Sequence, residues 1–248
     1  MSSNEIVMNI TIPKHRGSSM KKDSRLVLFD IDGTLVHCGP TPRRAFKRAL
    51  EMVFGTAGPI DNWLFDGKTD PLIVRELMDT AGVKWNEESV NEALDRYVNG
   101  LARELPDEPA KEVCPGVREL LDELQRRETL LGLLTGNVRA GAKAKLESLD
   151  LWRYFPFGGF ADDSYNRNEI AEEAVLRAEE YMGRAWSGKD IVIIGDTPHD
   201  VGCGRHLGAR AIGVGTGRST AAELLAAGAE AAFDDLSDTT TVIQTIIH

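Results

Sequence analysis

"LVLFDIDGTLVHCGP", residues 26–40, begins as a buried strand and then breaks a rule for strands. Four apolar residues, Leu26 to Phe29, run directly into Asp30 and Asp32, which flank one isoleucine and precede Gly33 and Thr34. A short unbroken apolar run fits a strand covered on both faces, as in a parallel sheet. Two carboxylates this close at its carboxyl end repel each other, and desolvating them is costly unless a cation sits between them. The pair therefore predicts a cation-assisted site on the rim of an α/β sheet.

Working outward, similar apolar runs recur at 130–134, 157–160, 191–194 and 211–214, with a weaker one at 231–233. Helical patterns at 117–126, 139–149, 169–181 and 221–227 separate them. Strands alternating with helices predict a doubly wound parallel α/β fold. The alternation breaks once, between the first strand and Cys114-Pro115-Gly116, where helical patterns at 42–54, 71–80 and 87–105 appear without a convincing strand. Open α/β sheets bind ligands beyond the carboxyl ends of their strands, so a helical insertion on that loop would cover the site. The expected division is a flexible arm over 1–24, an α/β core over 25–37 and 113–248, and a helical cap over 38–112.

The 248 residues carry 42% hydrophobic and 27% charged side chains, ordinary values for a globular chain. A formal charge of −10 argues against nucleic acid or an anionic membrane as partner. An anionic ligand would need local positive charge against that field. Cys38, Cys114 and Cys203 are too widely spaced for a disulfide framework or a metal pair, which fits a reducing, cytoplasmic compartment. No apolar run approaches a membrane span, and residues 1–24 lack the apolar core of a secretory signal.

Three strand ends carry the chemistry: Asp30-Ile31-Asp32-Gly33-Thr34, Thr135-Gly136-Asn137, and Gly195-Asp196-Thr197-Pro198-His199-Asp200. The fold gathers them on one edge, and converging carboxylates with all-oxygen donors favour a hard ion such as Mg²⁺. With "DIDGT", "LLTGN" and "IVIIGDTPHD" in this order, the chain from about 25 to 235 resembles the haloacid dehalogenase-like hydrolase superfamily, most closely its phosphoglycolate phosphatase-like branch. The insertion also sits where that family carries its first-position cap.

The resemblance implies that Asp30 is a nucleophile forming an aspartyl phosphate, and Asp32 a general acid and base. It implies Mg²⁺ held by Asp30, the backbone carbonyl of Asp32 and Asp196, with Asp200 close by. Thr135 would donate to a phosphoryl oxygen, aided by the backbone of Gly136 and Asn137, and Gly33 would allow the turn after Asp32. The family's usual lysine is replaced in register by Arg167 within "FADDSYNRNEIAEEA". Lys143 and Lys145 are read as solvated. In the insertion, "DGKTDP" at 66–71 offers Lys68, Thr69 and Asp70 to read the leaving group, or Thr69 or Asp70 as a plain helix cap before Pro71.

Other features are read as structural. "GVGTGRST" at 213–220 lacks dinucleotide-loop spacing, His199 is assigned to solvent or capping, and Trp152, Tyr154 and Phe155 to packing. The functional expectation is a Mg²⁺-dependent phosphatase for a small phosphorylated metabolite, phosphoglycolate-like or a sugar phosphate. The alternatives are a phosphomutase of the β-phosphoglucomutase type and a non-catalytic phosphometabolite-binding protein. Oligomeric state is not encoded in any of these signals.

Overall fold

The structure, a computed structural model, describes residues 25–248, so the arm expected over 1–24 lies outside the described residues. Strand β1 (Leu26–Phe29) is followed by an excursion through β2 (Val36–Cys38), helices α1 (Thr41–Phe54), α2 (Asp70–Thr80) and α3 (Glu87–Glu104), and β3 (Lys111–Val113). Alternation resumes with α4 (Val117–Arg126), β4 (Leu130–Leu134), α5 (Arg139–Glu147), β5 (Gly158–Gly159) and α6 (Arg167–Met182). The chain continues through β6 (Ile191–Gly195), α7 (Pro198–Leu207), β7 (Arg210–Val214), α8 (Ala221–Ala226), β8 (Ala231–Phe233) and α9 (Thr239–Ile247).

Six strands form a parallel sheet in the order β5-β4-β1-β6-β7-β8. The order reverses beside β1, the switch point at which such sheets bind ligands. Phe29 is level with Leu133 of β4 and Ile194 of β6, so the residues that follow these strands emerge at similar heights. Asp30, Thr135 and Asp196 consequently share one edge.

Side-chain alternation explains the unbroken apolar runs. Val27, Phe29, Leu131, Leu133, Val192 and Ile194 face one buried cluster, while Leu26, Leu28, Leu130, Leu134, Ile191 and Ile193 face another. Burying each such side chain contributes about 1.5–3 kcal/mol, so the sheet is a stiff platform for its polar edge. The ring of Phe155 lies edge-on to Phe29 at 6.0 Å, and Tyr154 is buried beside it, which is the packing role expected of this aromatic stretch.

Two expectations are corrected here. The excursion does contain strands: β2 and β3 pair antiparallel, with Cys38 opposite Lys111. Three-residue strands that mix apolar with His37, Lys111 and Glu112 carry too little periodicity to be seen in sequence. The run at 157–160 pairs only through Gly158 and Gly159, with Phe157 and Phe160 entering opposite cores. Between β2 and β3, α1 packs on α3, and the Phe46 ring lies 4.4 Å from that of Tyr97.

Candidate active site

The backbone of Asp30 is fixed before its side chain is considered, because its N–H donates to Ile194 O at 3.0 Å. One carboxylate oxygen from each of Asp30, Asp196 and Asp200 lies within 4.8 Å of the others, and all three residues are buried. Asp200 is additionally held by Thr197, whose backbone N and Oγ1 donate to Oδ2 at 3.1 and 2.7 Å. Thr34 Oγ1 donates to Asp196 Oδ1 at 3.1 Å. Burial, reinforced by neighbouring carboxylates, pushes the Asp30 and Asp196 carboxyls well above the ordinary range.

Arg167 is the cation against this cluster. It is the first residue of α6, is only 8% exposed, ion-pairs with Asp200, and places Nη2 3.7 Å from Asp30 Oδ1. Three carboxylates against one guanidinium leave an excess of negative charge in a low-dielectric pocket. The hard oxygen donors fit a divalent cation such as Mg²⁺. The loop 215–218 walls the same cluster. Gly217 sits so close to Asp196 that a Cβ there would overlap the carboxylate, and Gly33, at φ +81°, crowds the same carboxylate oxygen beside Gly217. Thr216 Oγ1 ties the two segments by donating to Gly33 O at 2.5 Å. Gly217 thus provides close approach to Asp196, a role invisible in the spacing of the loop's glycines.

Asp32 stands apart from the three-carboxylate cluster, and its side chain is 45% exposed. Lys145 Nζ donates to both its oxygens, at 2.8 and 2.7 Å, and to Asn137 Oδ1 at 2.6 Å. Asn137 Nδ2 donates to Asp32 Oδ2 and to Thr135 Oγ1, each at 2.8 Å. Thr135 Oγ1 is therefore an acceptor there, and its own proton remains available to a ligand in the cavity it shares with Asp30.

The expectation that Lys145 is solvated is corrected: the residue is 4% exposed. The signal was available, since Gly141, Ala142, Lys145 and Leu146 form one buried helical face. Lys143 on the same helix is exposed, as expected, and pairs there with Glu147 at 3.7 Å.

The insertion meets the core along the other wall. Asp70 N donates to Gly136 O at 2.8 Å, and Asp70 Oδ2 accepts from Val138 N at 2.9 Å, at the start of α5. Arg218 of the core pairs with Asp66 at 3.0 Å, and His199, though exposed, packs against Gly67. Lys68 lines the cavity, but its ammonium is paired with Glu76 and lies 5.1 Å from the Trp63 ring centre. Thr69 corrects an expectation: it is 1% exposed, makes no side-chain cap, and does not line the cavity that holds Asp30. Asp70 lines that cavity but does not cap its own helix; its carboxylate accepts from Val138 N at the start of α5.

Burial raises the Asp70 carboxyl to about 7, against the opposing pull of Lys145 and the Val138 N–H. A carboxyl raised on folding retains protons that the unfolded chain releases, so its contribution to stability falls as pH climbs from about 4 to about 7. Asp70→Asn keeps the acceptor without the charge, and is expected to flatten that segment of the stability–pH curve. Asp70→Ala removes the acceptor and is expected to cost about 1–3 kcal/mol in urea melts at any pH.

Asp30, Asp32, Gly33, Thr135, Gly136, Asn137, Arg167 and Asp196 all line one cavity of about 500 Å³, roofed by residues of the insertion that include Arg43, Phe65 and Tyr97. Asp200 lies behind it, within the cluster. A family model described as haloacid dehalogenase-like hydrolase matches residues 27–214. "Probable phosphatase IndB" of Dickeya dadantii is 30% identical over 216 residues, covering 86% of this chain and 90% of that protein. The phosphoglycolate phosphatase of Synechococcus elongatus is 27% identical over 202 residues, 81% of this chain and 88% of that one. A crystal structure of a hydrolase from Pseudomonas syringae superposes with TM-score 0.68 at 23% identity, covering 90% and 99% of the respective chains.

Proposed function

The chain belongs to the haloacid dehalogenase-like hydrolases, and from that membership we propose a Mg²⁺-dependent phosphatase that hydrolyses a small phosphomonoester through a phosphoryl group carried on Asp30. The observation that supports this reading best is the meeting of Asp30, Asp196, Asp200 and Arg167 beside Thr135 at one sheet edge. Relatives named as phosphatases agree with the reaction class.

In the first step the Asp30 carboxylate attacks phosphorus and the leaving oxygen departs on the opposite side. Arg167 and the Thr135 hydroxyl stabilise charge on the phosphoryl oxygens, with backbone groups at Gly136 and Asn137 completing the cradle. Asp32 protonates the leaving oxygen, then removes a proton from the water that cleaves the aspartyl phosphate. Asp30, Asp196, Asp200 and the backbone carbonyl of Asp32 would hold Mg²⁺, whose chemistry is to offset the repulsion between carboxylate and phosphate. The insertion, as a cap, limits the substrate to what the roofed cavity holds, with Lys68 at its margin. A cytoplasmic setting suits the three free cysteines, and among the described residues no helix is long and apolar enough to cross a membrane.

Incubation of the purified protein and Mg²⁺ with a panel of phosphomonoesters, including phosphoglycolate and sugar phosphates, tests the reading. Release of inorganic phosphate is the expected result. Conversion of a sugar phosphate to its isomer without phosphate release would instead establish the mutase.

A further inference from the structure

Lys145 is a residue that no step above uses, yet the fold places it with care. Burying an ammonium costs several kcal/mol unless its charge and donors are matched. Here all three donors are matched: two to Asp32 and one to Asn137. No donor is left for a ligand, which separates Lys145 from a substrate-reading cation. Asp32 itself is half exposed and on a turn, where a free carboxylate would sample several rotamers.

We propose that Lys145, with Asn137, is a positioning residue that clamps the Asp32 carboxylate in the orientation its proton transfers need. The proposal rests on the assignment of Asp32 as general acid and base. The two oxygens are held unequally. Oδ2 accepts from both Lys145 and Asn137, whereas Oδ1 accepts from Lys145 alone. Oδ1 therefore keeps the freer lone pair and is the oxygen that exchanges the proton with leaving group and water. Because Asn137 also donates to Thr135 Oγ1, the same clamp sets the direction of the Thr135 hydroxyl toward the phosphoryl group. One lysine on α5 thus aligns the acid–base group and, one bond further, the phosphoryl donor.

The test is a double-mutant cycle between Lys145→Met and Asp32→Ala, measured on the best phosphomonoester of the panel. Misalignment of a positioned proton donor should lower kcat by roughly 10–100-fold while KM stays within about threefold. In the Asp32→Ala background, Lys145→Met should cost no more than about threefold in kcat, the part that reaches Thr135 through Asn137, because the main effect passes through Asp32. A kcat within twofold of wild type, or an equal loss in both backgrounds, would overturn the proposal. Lys145→Gln, close in length and polar, replaces Met if that variant does not fold. A crystal structure of the folded variant decides the matter independently of turnover: Asp32 should leave Asn137, and an Asp32 carboxylate still in place refutes the clamp. Absence of any phosphatase activity in the wild type would count against the functional reading, while that crystallographic result would still judge the clamp.

Discussion

Asp30→Asn is expected to lose at least about 10⁴-fold in kcat while remaining folded. An amide of the same shape cannot donate the electron pair that forms the bond to phosphorus, so the covalent step is removed rather than slowed. The side chain is buried at the end of the central strand, and its backbone N–H is held by Ile194, so the substitution leaves the sheet intact. It also removes one negative charge from a crowded cluster, and the thermal midpoint without metal should rise rather than fall. The measurement pairs steady-state hydrolysis of p-nitrophenyl phosphate with a melt. Wild-type-like turnover in this variant would remove Asp30 from the nucleophile's role, whatever the melt shows.

The second large effect concerns the ion. Rigorous chelation is expected to abolish hydrolysis, and Mg²⁺ is expected to stabilise the protein, by about 2.7 kcal/mol at a hundred times its dissociation constant. Without metal, the raised Asp30 and Asp196 carboxyls keep protons that the unfolded chain has lost. Their contribution to stability is therefore greatest near pH 4 and declines as pH rises through neutrality. Saturating Mg²⁺ binds the ionised forms and should reverse that slope. Asp196→Asn should erase the Mg²⁺-induced rise in Tm and raise the metal-free midpoint, since it relieves repulsion with Asp30 and Asp200. Undiminished turnover after chelation, or an unchanged Mg²⁺ response in Asp196→Asn, would contradict the three-carboxylate site.

The parallel sheet was legible because its strands are buried on both faces, so Leu26 to Phe29, 130–134 and 191–194 read as uninterrupted apolar runs. Asp30 and Asp196 were legible because each directly follows a buried strand, β1 and β6. The burial of Lys145 was readable from its place on the face of Ala142 and Leu146, but its role was not, because its partner Asp32 is 113 positions away. The role of Thr216 and Gly217 was hidden for a related reason. Their importance comes from close approach to Gly33 and Asp196, a property of packing between loops distant in sequence. Thr69 failed in the opposite direction: a polar turn before a helix looks like a recognition loop, but its docking on Gly136 and Val138 turned Thr69 inward. The β2–β3 pair escaped because each strand is only three residues long.

That small ribbon has an evolutionary consequence. With Cys38 opposite Lys111, the polypeptide departs from and rejoins the catalytic platform at adjacent points. Outside anchoring contacts such as Asp70 with Gly136 and Val138, the segment between those points can change length without rethreading the central sheet. On the proposed function, selectivity is thereby separable from reactivity: rewriting the roof would change which metabolite fits while the acidic floor beneath it stays the same.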